Sequence, residues 1–215
     1  LQGKPLLVWP VEAALASSYV DRVVVSTDSE DFAALARAAG AEVPFLRPPE
    51  LATDTTPSID VILHTIDTLA NSGEYYDYLI LLEPTSPLTD AADIDRALEN
   101  LLALGSRADA IVGVAAMVSA HPVFSVRVAA NGLIRPYAAA HFGHLSRRQD
   151  TEPLFSLDGS LYASTIKALF RERCFCHERT LPFVMPRQKS FEIDDLIDFI
   201  CIEAILENRD LIEGM

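Results

Sequence analysis

YLILLEPTSPL, residues 78–88, decides the fold class. Tyr78–Leu82 is a short apolar run, which reads as a buried strand. It ends abruptly in a carboxylate, Glu83, and then in Thr85 and Ser86 held between Pro84 and Pro87. Proline fixes φ and stiffens the loop. Hydroxyls and backbone N–H groups in such a loop meet a ligand at little ordering cost. The competing reading is a plain turn before the next helix, with Glu83 turned to solvent.

Working outward, the flanking segments alternate strand and helix. Upstream, RVVVSTD (22–28) and AEVPFLR (41–47) predict short strands. SEDFAALARAAG (29–40) has a Ser cap, early acids and a Gly stop, and TPSIDVILHTIDTLANSG (56–73) places Ile59, Ile62, Leu63 and Ile66 on one helical face. Downstream, DAADIDRALENLLALGS (90–106) predicts a helix and DAIVGVAAM (109–117) a strand. This alternation implies an α/β domain with a mainly parallel sheet and helices on both faces, which binds ligands beyond the carboxyl ends of its strands.

The rhythm breaks after residue 120. FSVRVAANGLIRPY (124–137) has two strand-like arms around Asn131-Gly132, a two-residue hairpin signal, and LFSLDGSLYAS (154–164) is β-rich. The stretch 121–186 therefore reads as a β-rich appendage within a single 1–215 domain, a dimerisation element or substrate lid. An amphipathic helix is expected from Asp194 or Asp195 onward.

Composition sets limits. The 215 residues, 50% hydrophobic, suit one globular domain with a full core. With 17 basic and 31 acidic residues, net charge −14, wrapping around nucleic acid is disfavoured, whereas a local Arg cluster still suits a small anion. The three cysteines, Cys174, Cys176 and Cys201, make no disulfide framework and point to a reducing compartment, the cytoplasm. No run reaches the roughly 18 apolar residues of a membrane span.

Several side chains offer site chemistry, each with a structural alternative. Arg147 and Arg148 in RRQD (147–150) suit bidentate pairing with carboxylate or phosphate, or are simply solvated. In FLRPPELATDTTPSID (45–60), Arg47 follows a strand and Ser58 lies near a helix N-terminus, where anions bind; the alternative is a structural loop with a helix N-cap. In FEIDDLIDF (191–199), an extended 191–194 would turn Glu192 and Asp194 to one face, a donor pair suited to Mg²⁺; the rival reading is helix capping by Asp194 or Asp195.

In this order, GKPLLVW (3–9), residues 21–61, LLEPTSPL (81–88), DIDRAL (93–98), HPVFSV (121–126), RRQD (147–150), LDGSLYAS (157–164) and FEIDDLIDF (191–199) resemble the acylneuraminate cytidylyltransferases, also called CMP-sialic acid synthetases. The resemblance covers nearly the whole chain. It implies a Rossmann-like nucleotide-diphosphate-sugar transferase fold with a β-rich dimerisation element. It also implies an Mg²⁺-dependent reaction of CTP with a nonulosonic acid (sialic, legionaminic or pseudaminic in type), releasing pyrophosphate, in a homodimer.

By the same resemblance Asp194 is the principal metal-site carboxylate with Glu192 as its companion, where the family usually has Asp. Arg47 and Ser58 match nucleotide-holding positions. Arg148 matches an Arg that pairs with the sugar's carboxylate, Tyr162 a sugar-contacting aromatic, and Phe175 an aromatic that reaches the site from the partner subunit. Glu83 stands where the family commonly has Gln, and a carboxylate, which only accepts hydrogen bonds, would read donor groups on the sugar. The family's opening strand and phosphate-cradling loop lie ahead of the segment matched by GKPLLVW, so the chain numbered from Leu1 is expected to lack a complete triphosphate site. An eight-carbon keto sugar acid cytidylyltransferase and a non-catalytic nucleotide- or sugar-binding homodimer are the alternatives.

Overall fold

The apolar run at 78–82 does form a strand, β1 (Tyr78–Leu81), and its two faces show how the molecule is layered. Leu79 and Leu81 pack with Ile62, Leu63 and Ile66 of α3 (Ser58–Asn71) and Leu169 of α5 (Ile166–Glu172). Ile80 and Leu82 turn the other way, toward Ile94, Leu98 and Leu101 of α4 (Ala91–Leu104). Successive strand side chains point to opposite faces, so helices cover both sides of the sheet, as the alternation of elements predicts. Each fully buried Leu or Ile in these layers contributes roughly 1.5–3 kcal/mol over an exposed one.

The structure is a computed structural model and describes residues 1–117, 120–137 and 151–214. The remaining elements are α1 (Val8–Ala16), α2 (Glu30–Ala38), β2 (Ala110–Ala116), β3 (Val126–Val128), β4 (Ile134–Pro136), β5 (Phe155–Thr165), β6 (Thr180–Val184), α6 (Leu196–Glu207) and α7 (Arg209–Glu213). The main sheet has four strands in the order β1-β5-β2-β6. β2 and β6 pair in parallel, whereas β5 runs antiparallel to both its neighbours. The sheet is therefore mixed. The chain leaves β2 at Ala116 and re-enters opposite it at Phe155, so it runs back along β2.

The β-rich stretch 121–186 is divided between two sheets. β5 and β6 belong to the main sheet, and among the described residues β3 and β4 form a separate two-stranded one. The expected two-residue turn at Asn131-Gly132 is a longer connection, 129–133, because Val128 pairs with Ile134. Ala129 N–H donates to Leu133 O (2.8 Å), and Asn131 Oδ1 accepts from Leu133 N–H (3.2 Å).

The segments 22–28 and 41–47 are extended, but a single parallel bridge, Val24 to Glu42, stands where two strands were expected. They are joined by Val25 N–H to Glu42 O (2.9 Å), Glu42 N–H to Val23 O (2.8 Å) and Arg47 N–H to Thr27 O (2.8 Å). Among the described residues no ladder connects them to β1, which lies at an edge of the four-stranded sheet rather than inside it. A cleft of about 510 Å³ lies alongside, lined by Val24, Ile66, Leu79, Leu98 and Phe170 among others.

Helix starts follow the sequence closely. Ser29 caps α2 by accepting from Phe32 N–H (3.4 Å). Asp90 and Asp93 form a reciprocal capping box on α4, as do Asp195 and Asp198 on α6. α6 departs from expectation: it is apolar nearly all round, burying Ile202 while leaving Leu196, Ile197 and Ile200 exposed.

Candidate active site

The loop after β1 is held at three places. Ser86 N–H donates to Glu83 O (3.1 Å), which closes the turn. Thr89 Oγ1 donates to Ser160 O on β5 (3.1 Å). Ile193 N–H donates to Thr85 O (2.8 Å), and Thr85 Oγ1 donates to Glu192 Oε1 (3.3 Å). Three stretches far apart in sequence, 83–89, 158–162 and 192–193, thus meet where β1 ends.

Glu192 lies against β5 at Gly159. A Cβ at that position would stand 2.6 Å from Glu192 Oε1, so only the missing side chain leaves room for the carboxylate. Gly159 also has φ +70°, a backbone conformation that glycine adopts freely. Glu83 is within hydrogen-bonding reach of Glu192. Burial, then the charge of Glu192 and the contact with it, push the Glu83 carboxyl above its usual range, and no basic side chain among the described residues offsets them.

Tyr162 pairs with Leu81 of β1 and Val112 of β2, which sets its ring beside this pair. Its phenol is pushed up to about 12, first by burial and then by Glu83, Glu192 and Asp158. Phe175 packs on it, with ring centroids 5.5 Å apart and planes at 42°. The resemblance implies that Phe175 reaches the site of a partner subunit; within its own chain it packs on Tyr162 after the chain turns at Arg173, in the left-handed region, at the end of α5.

Asp158 was not anticipated from the sequence. It is 6% exposed; Oδ1 accepts from Ser160 N–H (3.1 Å) and Ser160 Oγ (2.6 Å), while Oδ2 is buried with no hydrogen-bond partner among the described residues. Burial raises this carboxyl, partly offset by the Ser160 hydrogen bonds. The available signal was the glycine inside a strand run, which marks a close approach of another chain segment.

Arg47 Nη2 donates to Ser26 O (2.8 Å), and its Nε is buried with no partner among the described residues. Ser58 is exposed at the first residue of α3. No hydrogen bond or ion pair among the described residues ties either one to the Glu83–Glu192 cluster. Asp194 is exposed at a bend, and its N–H donates to Asp198 Oδ2 (3.0 Å). Segment 191–194 is thus not a strand, and Asp195 is the helix cap. Arg148 lies outside the described residues.

A cytidylyltransferase family model matches residues 1–214. The chain belongs to the cytidylyltransferase family. It is 32% identical over 209 residues to a CMP-N,N'-diacetyllegionaminic acid synthase of Legionella pneumophila, covering 96% of this chain and 87% of that one. It is 30% identical over 202 residues to an N-acylneuraminate cytidylyltransferase of Streptococcus agalactiae, covering 93% of this chain and 46% of that protein, so it spans about half of that relative. A CMP:2-keto-3-deoxy-manno-octonic acid synthetase solved with CTP shares the fold, with TM-score 0.65 at 16% identity over 96% of this chain and 89% of that one.

The donor chemistry of this cytidylyltransferase suits a hard divalent cation. Glu83 and Glu192 are two oxygen-donor groups brought together with no basic side chain acting on Glu83 among the described residues, and Asp194 is exposed two residues beyond Glu192. No group of three or more His, Cys, Asp or Glu arranged to hold a metal is found among the described residues. Mg²⁺ needs only one or two carboxylates when substrate phosphates and water complete its shell, so Glu192 and Asp194 suit it in donor type.

Proposed function

We propose that this cytidylyltransferase joins CTP to a nonulosonic acid. The anomeric hydroxyl oxygen forms a bond to the α-phosphorus of CTP while the bond from that phosphorus to the bridging oxygen of pyrophosphate breaks. CMP-sugar, pyrophosphate and the hydroxyl proton are the products. The observation that carries this reading is the meeting of Glu83, Glu192 and Tyr162 where β1 and β5 face the loop, in a chain whose relative makes a CMP-activated legionaminic acid.

Nucleotidyl transfer needs positioning and charge neutralisation more than covalent chemistry from the protein. Glu192 and Asp194 would hold Mg²⁺, which supplies neutralisation of phosphate charge. Arg47 and Ser58 hold the nucleotide, and Arg148 pairs with the sugar carboxylate. Tyr162 and Phe175 form an apolar wall against the sugar. Glu83 accepts from donor groups on the sugar, such as the N–H of an acylamino substituent; beside an anionic substrate, a bare acceptor is tolerated only where a donor meets it.

The working unit in this reading is a homodimer joined through the β3–β4 hairpin, whose Val128, Leu133 and Ile134 are exposed. Among the described residues no helix is long and apolar enough to cross a membrane. The reaction is placed in the cytoplasm, with its pool of CTP and reduced thiols.

Pyrophosphate release from CTP and Mg²⁺ with a panel of nine-carbon and eight-carbon keto sugar acids tests the function. Release with the nine-carbon acids is expected. Release only with the eight-carbon acid favours the shorter substrate, and CTP binding without release favours a non-catalytic binder.

A further inference from the structure

The stretch 186–195 carries Glu192 and Asp194, yet apart from one 3-10 turn, Arg187–Lys189, it has no regular secondary structure to fix it. Its far end is set by the Asp195–Asp198 capping box and its middle by the contacts of Glu192 and Ile193 with Thr85. What remains is the near end, and there, among the described residues, Lys189 supplies a charged anchor. Lys189 Nζ donates to Asp90, and to Asp93 Oδ2 at 2.7 Å. Asp93 is fully buried, and the Lys189 side chain is only 19% exposed.

These two carboxylates are also the capping box of α4, the helix that follows the Glu83 loop directly. A carboxylate buried this completely requires its counter-charges; Asp93 has Arg96 of its own helix on Oδ1 (2.5 Å) and Lys189 on Oδ2, and of the two it is Lys189 that comes from the 186–195 stretch. Glu192 lies three residues further on, a span of at most about 10–11 Å when extended. The clamp therefore limits where Glu192 can sit along the Gly159 backbone.

We propose that Lys189 is a positioning residue, whose clamp on Asp90 and Asp93 sets the register of segment 189–194 and so holds Glu192 and Asp194 in place. Its role in metal binding rests on the reading of those two carboxylates as the cation pair; the clamp itself does not. Lys189→Arg keeps the charge and reaches the same acids, while Lys189→Met keeps the length and removes the charge.

The test compares both variants with the wild type by two measurements. The first is amide hydrogen exchange at Ile193, whose N–H is bonded to Thr85 O. In Lys189→Met it should exchange at least about tenfold faster, with amides inside α6 unchanged; Lys189→Arg should restore most of the protection. The second is Mn²⁺ binding followed by electron paramagnetic resonance in the presence of CTP, where Lys189→Met should weaken affinity about tenfold.

Unchanged Ile193 exchange in folded Lys189→Met overturns the proposal, as does a uniform loss of protection across the chain, which marks a purely structural role. If the wild type binds no Mn²⁺, the cation reading fails, and Ile193 exchange still decides the clamp. Should Lys189→Met not fold, Lys189→Gln is measured in its place against the same criteria.

Discussion

Gly159→Ala separates the two demands that β5 meets at the candidate site. The residue has φ +70°, and a Cβ there would lie 2.6 Å from Glu192 Oε1 and 2.7 Å from both Cδ and Oε2. The backbone part costs about 1–2 kcal/mol, the penalty for an L-residue in the left-handed region. For a chain of this size each kcal/mol lowers Tm by roughly 2–4 °C, so a fall of roughly 2–8 °C is expected. The steric part is cheap in stability, because the atoms met are the end of a flexible side chain. It is expensive in function, because Glu192 must move by about 1 Å or more, and a misplacement of that size costs on the order of 100-fold in turnover. Differential scanning calorimetry and pyrophosphate release measure the two parts separately. In a Glu192→Ala background, Gly159→Ala should still lower Tm but should subtract nothing further from the residual rate, since its functional effect acts through Glu192. Wild-type rate and Tm in Gly159→Ala, or rate losses that multiply in the double variant, would refute the reasoning.

Other outcomes follow from the same geometry. Glu83→Gln should shift preference among nonulosonic acids with little change in the KM for CTP, read in a substrate panel; an unchanged ranking counts against a sugar-reading role. The Glu83 carboxyl is raised in the folded state, so its contribution to stability is full at acid pH and declines as it ionises. Glu83→Gln should thus have a higher urea midpoint than wild type at neutral pH in EDTA, an advantage that disappears below the ordinary value of 4.5. At the opposite end of β2, Asp109 accepts from Arg179 Nε (2.7 Å) and Arg171 Nη2 (2.9 Å), bonds that hold its carboxyl down to about 2. The stability it contributes is complete above its usual 3.8 and is lost as pH falls from about 4 toward 2. Asp109→Asn should remove that acid-dependent step and cost about 1 kcal/mol at neutral pH, a small figure because the Arg171 and Arg179 side chains are 48% and 44% exposed. Val128→Lys combined with Ile134→Lys places two charges on the exposed hairpin and should convert a homodimer into monomer by light scattering; a dimer that persists places the interface elsewhere.

The sequence by itself determined the elements whose rules are local. Ser29, Asp90 and Asp195 cap helices where short-range pattern puts them. The apolar face of α3 follows from its 3.6-residue period, and the end of β1 follows from the carboxylate and prolines after Leu82. Tertiary structure decided whatever depends on partners distant in the chain. The direction of β5 is set by where the chain re-enters beside Ala116, and no residue within 155–165 encodes that. Strand Tyr78–Leu81 reads the same whether it lies inside a sheet or at an edge, because apolar pattern reports burial and not neighbours. Asp158 and Lys189 looked like ordinary strand and loop residues until Gly159, Asp90 and Asp93 were brought against them. Side-chain chemistry was therefore legible from sequence one residue at a time. Which carboxylates share a space, and which lysine holds them there, depends on contacts more than 90 residues apart, and only the packed sheet and its loops create those.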